Sequence, residues 1–452
     1  MKQGDIMKKI STALLTILLI CIYCNESTAA SRTTPEVHHT RLSNGLTIIT
    51  QEVKDSPLAS INIFVRAGSK DELPQTEGIT HFCEHLFFRG TSSSSGTEFK
   101  GALEALGGFC NAETTKDYTR YYINIPSTNA MKGLQLMTDA LQNARFDEKE
   151  IEQERKVIVE EYKMTSDSPS HFFNNTICEM AFPVHPYGKP VIGKEKNIKS
   201  FKRNDFLAFR NRFYTPENLI FVVTGNISSE KVISYLTGVF DHIPNSGQGE
   251  HILPQEKIPG EKREKTVQKN VDDASIVQAY YGPSIKDREY IYATDVLCFM
   301  LGNGKSSILS RILIDGKDLV KEIDVNFLTQ KDPGLIMIFS TLKTKDIALA
   351  RKEIQAALDS VGKGNFSEDD LKRAKNLIIN STDFGSETND GKATNLGFYE
   401  TIDSYEFAVN YVHNLMKVTR EDIIKTYNKY FTSECCALTV KPKPKRVEDD
   451  DE

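Results

Sequence analysis

The sequence has no excess of positive charge: 56 lysines and arginines face 62 aspartates and glutamates, for a formal net charge of -6. No basic face is implied, so nucleic acid is excluded as the main partner. Long apolar runs are lacking too. The one run of note, ALLTILLICIY at residues 13–23, is too short to span a bilayer comfortably. Cysteine is sparse, eight in 452 residues, and its spacing builds no dense disulfide framework. Histidine is nearly as scarce at nine, so a place where two fall together with a carboxylate between them stands out.

What is present is ordinary for a globular protein: 39% hydrophobic and 26% charged residues in a chain long enough for two or more domains. Lys8 and Lys9 precede the apolar run, and NESTAA supplies small residues for cleavage near Ala29 or Ala30. Residues 1–30 therefore read as a secretory signal peptide. The expected mature protein is exported, periplasmic or secreted, without a stable membrane anchor. Its six cysteines (Cys83, Cys110, Cys178, Cys298, Cys435 and Cys436) are expected mainly as small apolar core residues.

Residues 39–69 read as strand, Asn-Gly turn, strand, loop, strand, and 108–126 as a hairpin-like pair of strands. Helical periods fill most of the interval between these strands and FYTPENLIFVVTGNI. Residues 243–266 carry Pro, Gly and charge with no apolar period, which predicts an interdomain linker. The second half then repeats the first. RNDFLAFRNRFYTPENLIFVV from Arg203 aligns without gaps to REDIIKTYNKYFTSECCALTV from Arg420, an offset of 217. FDEKEIEQERKVIVEE from Phe146 matches FSEDDLKRAKNLIINS from Phe366, an offset of 220. Agreement of the two offsets implies duplication of a whole domain. The expected fold class is α+β, in two homologous domains at 37–242 and 267–442, each a mixed, mostly antiparallel sheet covered by helices. A charged tail at 443–452 is expected to be solvated.

The two histidines lie in GITHFCEHLFFRGT. On a helix at about 100° per residue, His81 and His85 stand about 40° apart and Glu84 about 60° to the other side of His81. Two imidazoles on one face can grip a zinc ion, and the adjacent carboxylate can reach a water beside it. H-x-x-E-H is known as the inverted zinc-protease pattern. A third ligand is needed, and ERKVIVEEYKM is the segment to search. Val157, Ile158 and Tyr162 mark one stripe there, while Glu154 and Glu161 share a face about two turns apart. Glu148, Glu150, Glu152 and Glu160 lie nearby, so pattern alone leaves the choice open.

These residues resemble the pitrilysin-type family of zinc peptidases, M16, in its shorter branch, which includes the catalytic subunit of mitochondrial processing peptidase and bacterial exported zinc proteases. The resemblance runs from about Val37 to Val440. It implies that His81, His85 and Glu161 hold one zinc ion per chain, that Glu84 is the general base, and that Glu154 is a supporting carboxylate. It further implies that GGFCNAETTKDYTRYY forms an edge strand on which an extended peptide substrate is laid, with contacts from Asn111 and Ala112. The copy of the metal helix near TDVLCFMLG has lost the ligands, which implies one active site per chain. The family usually adds an arginine and a tyrosine seven apart to clamp substrate. Those positions fall here at Ile314 and Lys321, with Arg311 three residues early. The departure leads to the expectation of a dimer in which a homologous subunit supplies the clamp, a homodimer being the competing form. A non-catalytic scaffold of the same fold is the alternative from another class. An organelle processing peptidase is opposed by the signal-like N-terminus.

Overall fold

The computed structural model describes residues 36–247, 252–256, 262–431 and 435–444. A first sheet combines β1 (Val37–Arg41), β2 (Thr47–Glu52), β3 (Leu58–Val65), β4 (Phe109–Thr114), β5 (Thr119–Pro126) and β6 (Leu219–Gly225), in the order β1-β2-β6-β3-β5-β4. A second combines β7 (Arg263–Lys269), β8 (Ala274–Tyr281), β9 (Glu322–Phe327), β10 (Leu335–Leu342) and β11 (Cys436–Pro442), in the order β7-β11-β8-β10-β9. Without β1 the two orders coincide. The parallel pair β2–β6 of the first sheet has its counterpart in the parallel pair β7–β11, and the pairs β6–β3, β3–β5 and β5–β4 run antiparallel like β11–β8, β8–β10 and β10–β9.

The helices of the first half are α1 (Ile79–Leu86), α2 (Gly96–Ala105), α3 (Ala130–Asn143), α4 (Glu148–Asp167), α5 (Pro169–Ala181), α6 (Glu195–Ser200), α7 (Arg203–Phe213) and α8 (Ser229–Phe240). Those of the second are α9 (Arg288–Gly302), α10 (Ile347–Gly362), α11 (Glu368–Gly385), α12 (Asn389–Ile402), α13 (Tyr405–Met416) and α14 (Arg420–Tyr430). Helices α7 and α14 begin 217 residues apart, and α4 and α11 begin 220 apart, so the duplication read in the sequence is also a duplication of structure. The α+β class and the two homologous, helix-covered sheets are as expected.

Every residue of β6 and all but the first of β3 are buried. A strand buried on both faces needs cover on both. Ile61, Ile63, Val65, Phe221 and Val223 face a core shared with α1, α3 and α7. The opposite face is covered from the other half. There α12 lies across β3 and β6. Its Gly397 sits so close to the Phe64 ring that an added Cβ would meet a ring carbon at 2.1 Å. Asp390 pairs with the buried Arg120 and accepts from Ser60 Oγ at 3.2 Å, while Thr224 Oγ1 donates to the Asn389 carbonyl at 2.7 Å. The exchange is reciprocal. Helix α5 of the first half packs on β8 and β11 of the second sheet, with Ile177 and Ala181 in one cluster with Val277, Ala279, Leu438 and Val440. Each half thus lends a helix to the other.

Two local readings are corrected. In α4 the buried stripe is Ile151, Glu154 and Ile158, whereas Val157 is 51% exposed, because 157 lies about 100° around the helix from 158. Strand β7 begins at Arg263, inside the stretch read as linker. It pairs in parallel with β11 from Arg263↔Cys436 onward. The segment REKTVQK is an outer strand with mostly exposed side chains, so it carries no apolar alternation to betray it. The signal-peptide reading at 1–30 and most of the tail at 443–452 fall outside the described residues. Among the described residues no helix is long and apolar enough to cross a membrane. The six described cysteines are free thiols, four of them buried.

Candidate metal centre

Helix α1 owes its orientation to its apolar residues. Ile79, Phe82, Cys83 and Leu86 are buried at the spacing of one helical face, which leaves His81, Glu84 and His85 on the other. The start of the helix is held from outside. Gly78 takes a φ of 98°, and a Cβ there would meet the Ile192 carbonyl at 2.6 Å. The buried Glu72 accepts from the Gly78 and Thr80 amides, both at 2.8 Å, and so caps two of the first-turn donors.

Helix α4 packs against α1 and carries both of the glutamates that share its face. Glu161 Oε1 lies 3.6 Å from His81 Nε2, and Glu161 Oε2 lies 3.4 Å from His85 Nε2. One ligand atom from each of these three residues lies within 4.8 Å of the others. Zinc arms of 2.0–2.1 Å in a tetrahedron set neighbouring ligands about 3.3 Å apart. Each histidine lies close to that distance from one of the two Glu161 oxygens, and a zinc ion fits among these groups once the side chains draw together. Two nitrogens and one oxygen are a donor set suited to zinc, and three protein ligands leave a fourth position open.

Glu154 stands behind His85. Its side chain is 3% exposed, with Oε2 at 3.2 Å from His85 Nδ1 and Oε1 at 2.5 Å from the Arg89 guanidinium. A carboxylate at Nδ1 selects the imidazole tautomer whose Nε2 lone pair is free for a cation. The remaining glutamates of α4 sort themselves by contact. Glu152 pairs with the part-buried Arg155 and Glu160 with the exposed Lys163, and both carboxylates are exposed.

Electrostatics around the cluster follow from burial and charge. Burial, with the charge on His85, pushes His81 down to about 4. Burial also works against the His85 charge, but its bonds to Glu154 and Glu161 and the nearby Glu84 outweigh it and raise His85 to about 9. Glu161 is lowered, first by the hydrogen bond from His85. His85 thus keeps its proton because carboxylates surround it, while the more deeply buried His81 does not. Burial raises Glu84 above the usual carboxylate range against the opposing bond from Thr114. That suits a group that must accept a proton and hand it on.

Asn111 and Ala112 lie on β4, whose partner in the sheet is β5 and which forms the sheet's edge. The Ala112 amide donates to the Asn111 side chain at 2.9 Å, so it is not spent in the ladder with β5. An incoming strand would find that amide by displacing the side chain. In the second half Arg311 is held by Asp370 at 2.7 Å and by the Ser306 carbonyl at 2.6 Å, and Lys321 is held by Asp273 at 2.6 Å. Ile314 packs against the second core. His185 plays a local part, its Nδ1 accepting from the Tyr187 amide at 3.1 Å and its Nε2 standing 3.5 Å from Asp332.

Three residues around the site have no local signature in the sequence. Glu72 and Arg89 are ordinary charges by pattern, and Thr114, whose Oγ1 donates to Glu84 Oε2 at 2.8 Å, is one threonine among many.

Comparison with known proteins adds to this geometry. Residues 47–195 match the model of the insulinase-type peptidase family M16, and residues 200–378 match that of the M16 inactive domain. A protein of Rickettsia felis described as an uncharacterized zinc protease is 27% identical over 407 residues, covering 90% of this chain and 98% of its own. The zinc protease PqqE of Helicobacter pylori is 27% identical over 427 residues, covering 92% and 95%. Among solved structures, a protease from Helicobacter pylori superposes with a TM-score of 0.82 at 26% identity, over 91% of this chain and all of that one. A putative M16-like peptidase from Alicyclobacillus acidocaldarius gives 0.80 at 19% identity over 92% of this chain and all of that one, which speaks to the fold alone.

Proposed function

The chain belongs to peptidase family M16, and from that premise we propose that it is a zinc-dependent endopeptidase acting on peptides or unfolded polypeptide segments. The observation that carries the reading is the convergence of His81, His85 and Glu161 within 4.8 Å beside a raised Glu84 carboxyl. Zinc bound there supplies Lewis acidity, which acidifies a water molecule and polarises the scissile carbonyl. Glu84 takes the proton from that water as its oxygen adds to the carbonyl carbon. The same carboxyl then returns the proton to the amine as the C–N bond breaks. Glu154, braced by Arg89, keeps the His85 ring in its ligating orientation. The edge of β4 holds the substrate as an added strand through main-chain bonds, so sequence preference is loose and the substrate must be extended.

Two further parts of the reading concern assembly and address. This chain is the zinc-bearing subunit of a dimer, and a homologous subunit supplies the substrate clamp. Arg311 is engaged with Asp370 and the clamp positions are Ile314 and Lys321, which supports the division of labour. An active heterodimer that keeps its rate when the partner's Arg and Tyr are removed would sink this part. The mature protein is exported after cleavage near Ala29 or Ala30, which N-terminal sequencing of the cellular protein checks. A non-catalytic scaffold is favoured only by the altered clamp and leaves the complete ligand set and Glu84 without a use.

The test is incubation of the purified protein, alone and with candidate homologous partners, with a quenched, unstructured peptide. Internal cleavage that a chelator stops and zinc restores is the expected result. Intact peptide in every combination, with one zinc bound per chain, would overturn the peptidase reading.

A further inference from the structure

We propose that Thr114 is a positioning residue, whose hydroxyl fixes the Glu84 carboxyl in the orientation that proton transfer requires. The inference rests on the peptidase reading above and adds to it a residue outside the metal cluster. Thr114 ends β4 and pairs with Thr119 of β5. Its Oγ1 donates to Glu84 Oε2 at 2.8 Å, and among the described residues no other side chain hydrogen-bonds that carboxyl. A carboxyl at the end of a side chain turns easily about its last torsion, which is broad and two-fold. One short bond to a charged acceptor removes that freedom and leaves the second oxygen unengaged.

A positioning group must itself be held, and Thr114 is. The turn that follows it is closed by the Thr115 amide to the Tyr118 carbonyl at 2.8 Å, and Thr115 Oγ1 accepts from the Asp117 and Tyr118 amides at 3.2 and 3.0 Å. Asp117 is 5% exposed. Its Oδ1 receives Lys70 Nζ and the Tyr187 hydroxyl, both at 2.6 Å, and its Oδ2 receives the Lys331 amide at 3.2 Å. The Tyr187 hydroxyl in turn accepts from the Asp332 amide at 3.1 Å. Lys331 and Asp332 lie between β9 and β10, so the second half buttresses the turn that carries Thr114. A half that has lost its own ligands thus anchors the strand that orients the base of the first.

The test uses Thr114→Val, which keeps shape but deletes the hydroxyl, and Thr114→Ser, which keeps the hydroxyl. General acid–base catalysis contributes about 10²–10⁴ in rate, and a misaimed base forfeits part of it. Thr114→Val should lower kcat by roughly tenfold or more, leaving KM and zinc affinity within about twofold, and Thr114→Ser should recover most of the loss. A second readout needs no substrate. In zinc-free protein, a double-mutant cycle of Thr114→Val with Glu84→Ala should show coupling of about fivefold or more in the unfolding constant. If the wild type cleaves no peptide, alone or with any homologous partner, the peptidase reading fails while the cycle still decides the bond. Absence of coupling, or a Thr114→Val enzyme with unchanged kcat, would overturn the proposal.

Discussion

Replacing Glu154 by Gln separates a structural carboxylate from a ligand-orienting one. The side chain is 3% exposed and has two partners, His85 Nδ1 at 3.2 Å and the Arg89 guanidinium at 2.5 Å. Gln keeps the shape and one acceptor oxygen but loses the charge, and its amide nitrogen is a donor facing donors. One of the two contacts must therefore be lost, and the surviving one weakens from charge-assisted to neutral. Loss of such a partner behind a metal-bound imidazole typically costs 10–100-fold in metal affinity, which is about 1.4–2.7 kcal/mol. Arg89→Ala should cost less, since Glu154 remains and the Arg89 side chain is already 36% exposed. Glu160→Gln, on the same helix but paired only with Lys163 on the surface, should cost nothing measurable. Competition with a chromophoric chelator reads the zinc Kd of all four proteins. A Glu154→Gln protein that is folded and binds zinc within twofold of wild type would refute the assignment of Glu154 to His85.

Gly397→Ala places a methyl group against the Phe64 ring where α12 crosses the first sheet, and should destabilise the protein by about 1–3 kcal/mol, read as a lower urea midpoint. Ala112→Pro removes the amide that an added strand would use and is tolerable on an edge strand; KM for an extended peptide should rise while zinc affinity stays unchanged, measured by steady-state kinetics and chelator competition. Burial raises Asp295 to about 7, against the bond it accepts from the Tyr411 hydroxyl. Its contribution to stability is complete below pH 4, where both states carry the proton, and is lost as pH climbs through 7 because only the unfolded state ionises freely. Asp295→Asn should therefore gain stability relative to wild type between pH 5 and pH 8, and a constant difference in urea midpoint would contradict this.

Much of the site was legible because its signals are local. Helix α1 writes its geometry into eight residues, since the buried Ile79, Phe82, Cys83 and Leu86 force His81, Glu84 and His85 to a common face. Duplication was legible because two segments keep the same offsets that their helices keep in space. Local period could not choose among the glutamates of α4, because Glu154 and Glu161 differ from Glu152 and Glu160 only in what lies opposite them. Reading Val157 into the buried stripe failed for a related reason: in a helix with so many charges, one valine off the core face shifts the inferred stripe by a residue. The exchange of α5 and α12 leaves no mark in either helix, whose amphipathic faces say that a partner exists but not which sheet provides it. Strand β7 escaped because it is polar on both faces. Thr114 and Glu72 act across loops, through one hydrogen bond and two respectively, which no spacing rule encodes.

In the proposed reaction one zinc ion held by His81, His85 and Glu161 works with Glu84 to cleave peptide bonds. Its most direct test is metal content and peptide turnover measured together on wild type and Glu84→Gln, in whichever assembly is active. One zinc per chain is expected in both proteins, with a loss of about 10²–10⁴ in kcat for the variant. A Glu84→Gln protein that keeps its zinc and its rate would contradict it.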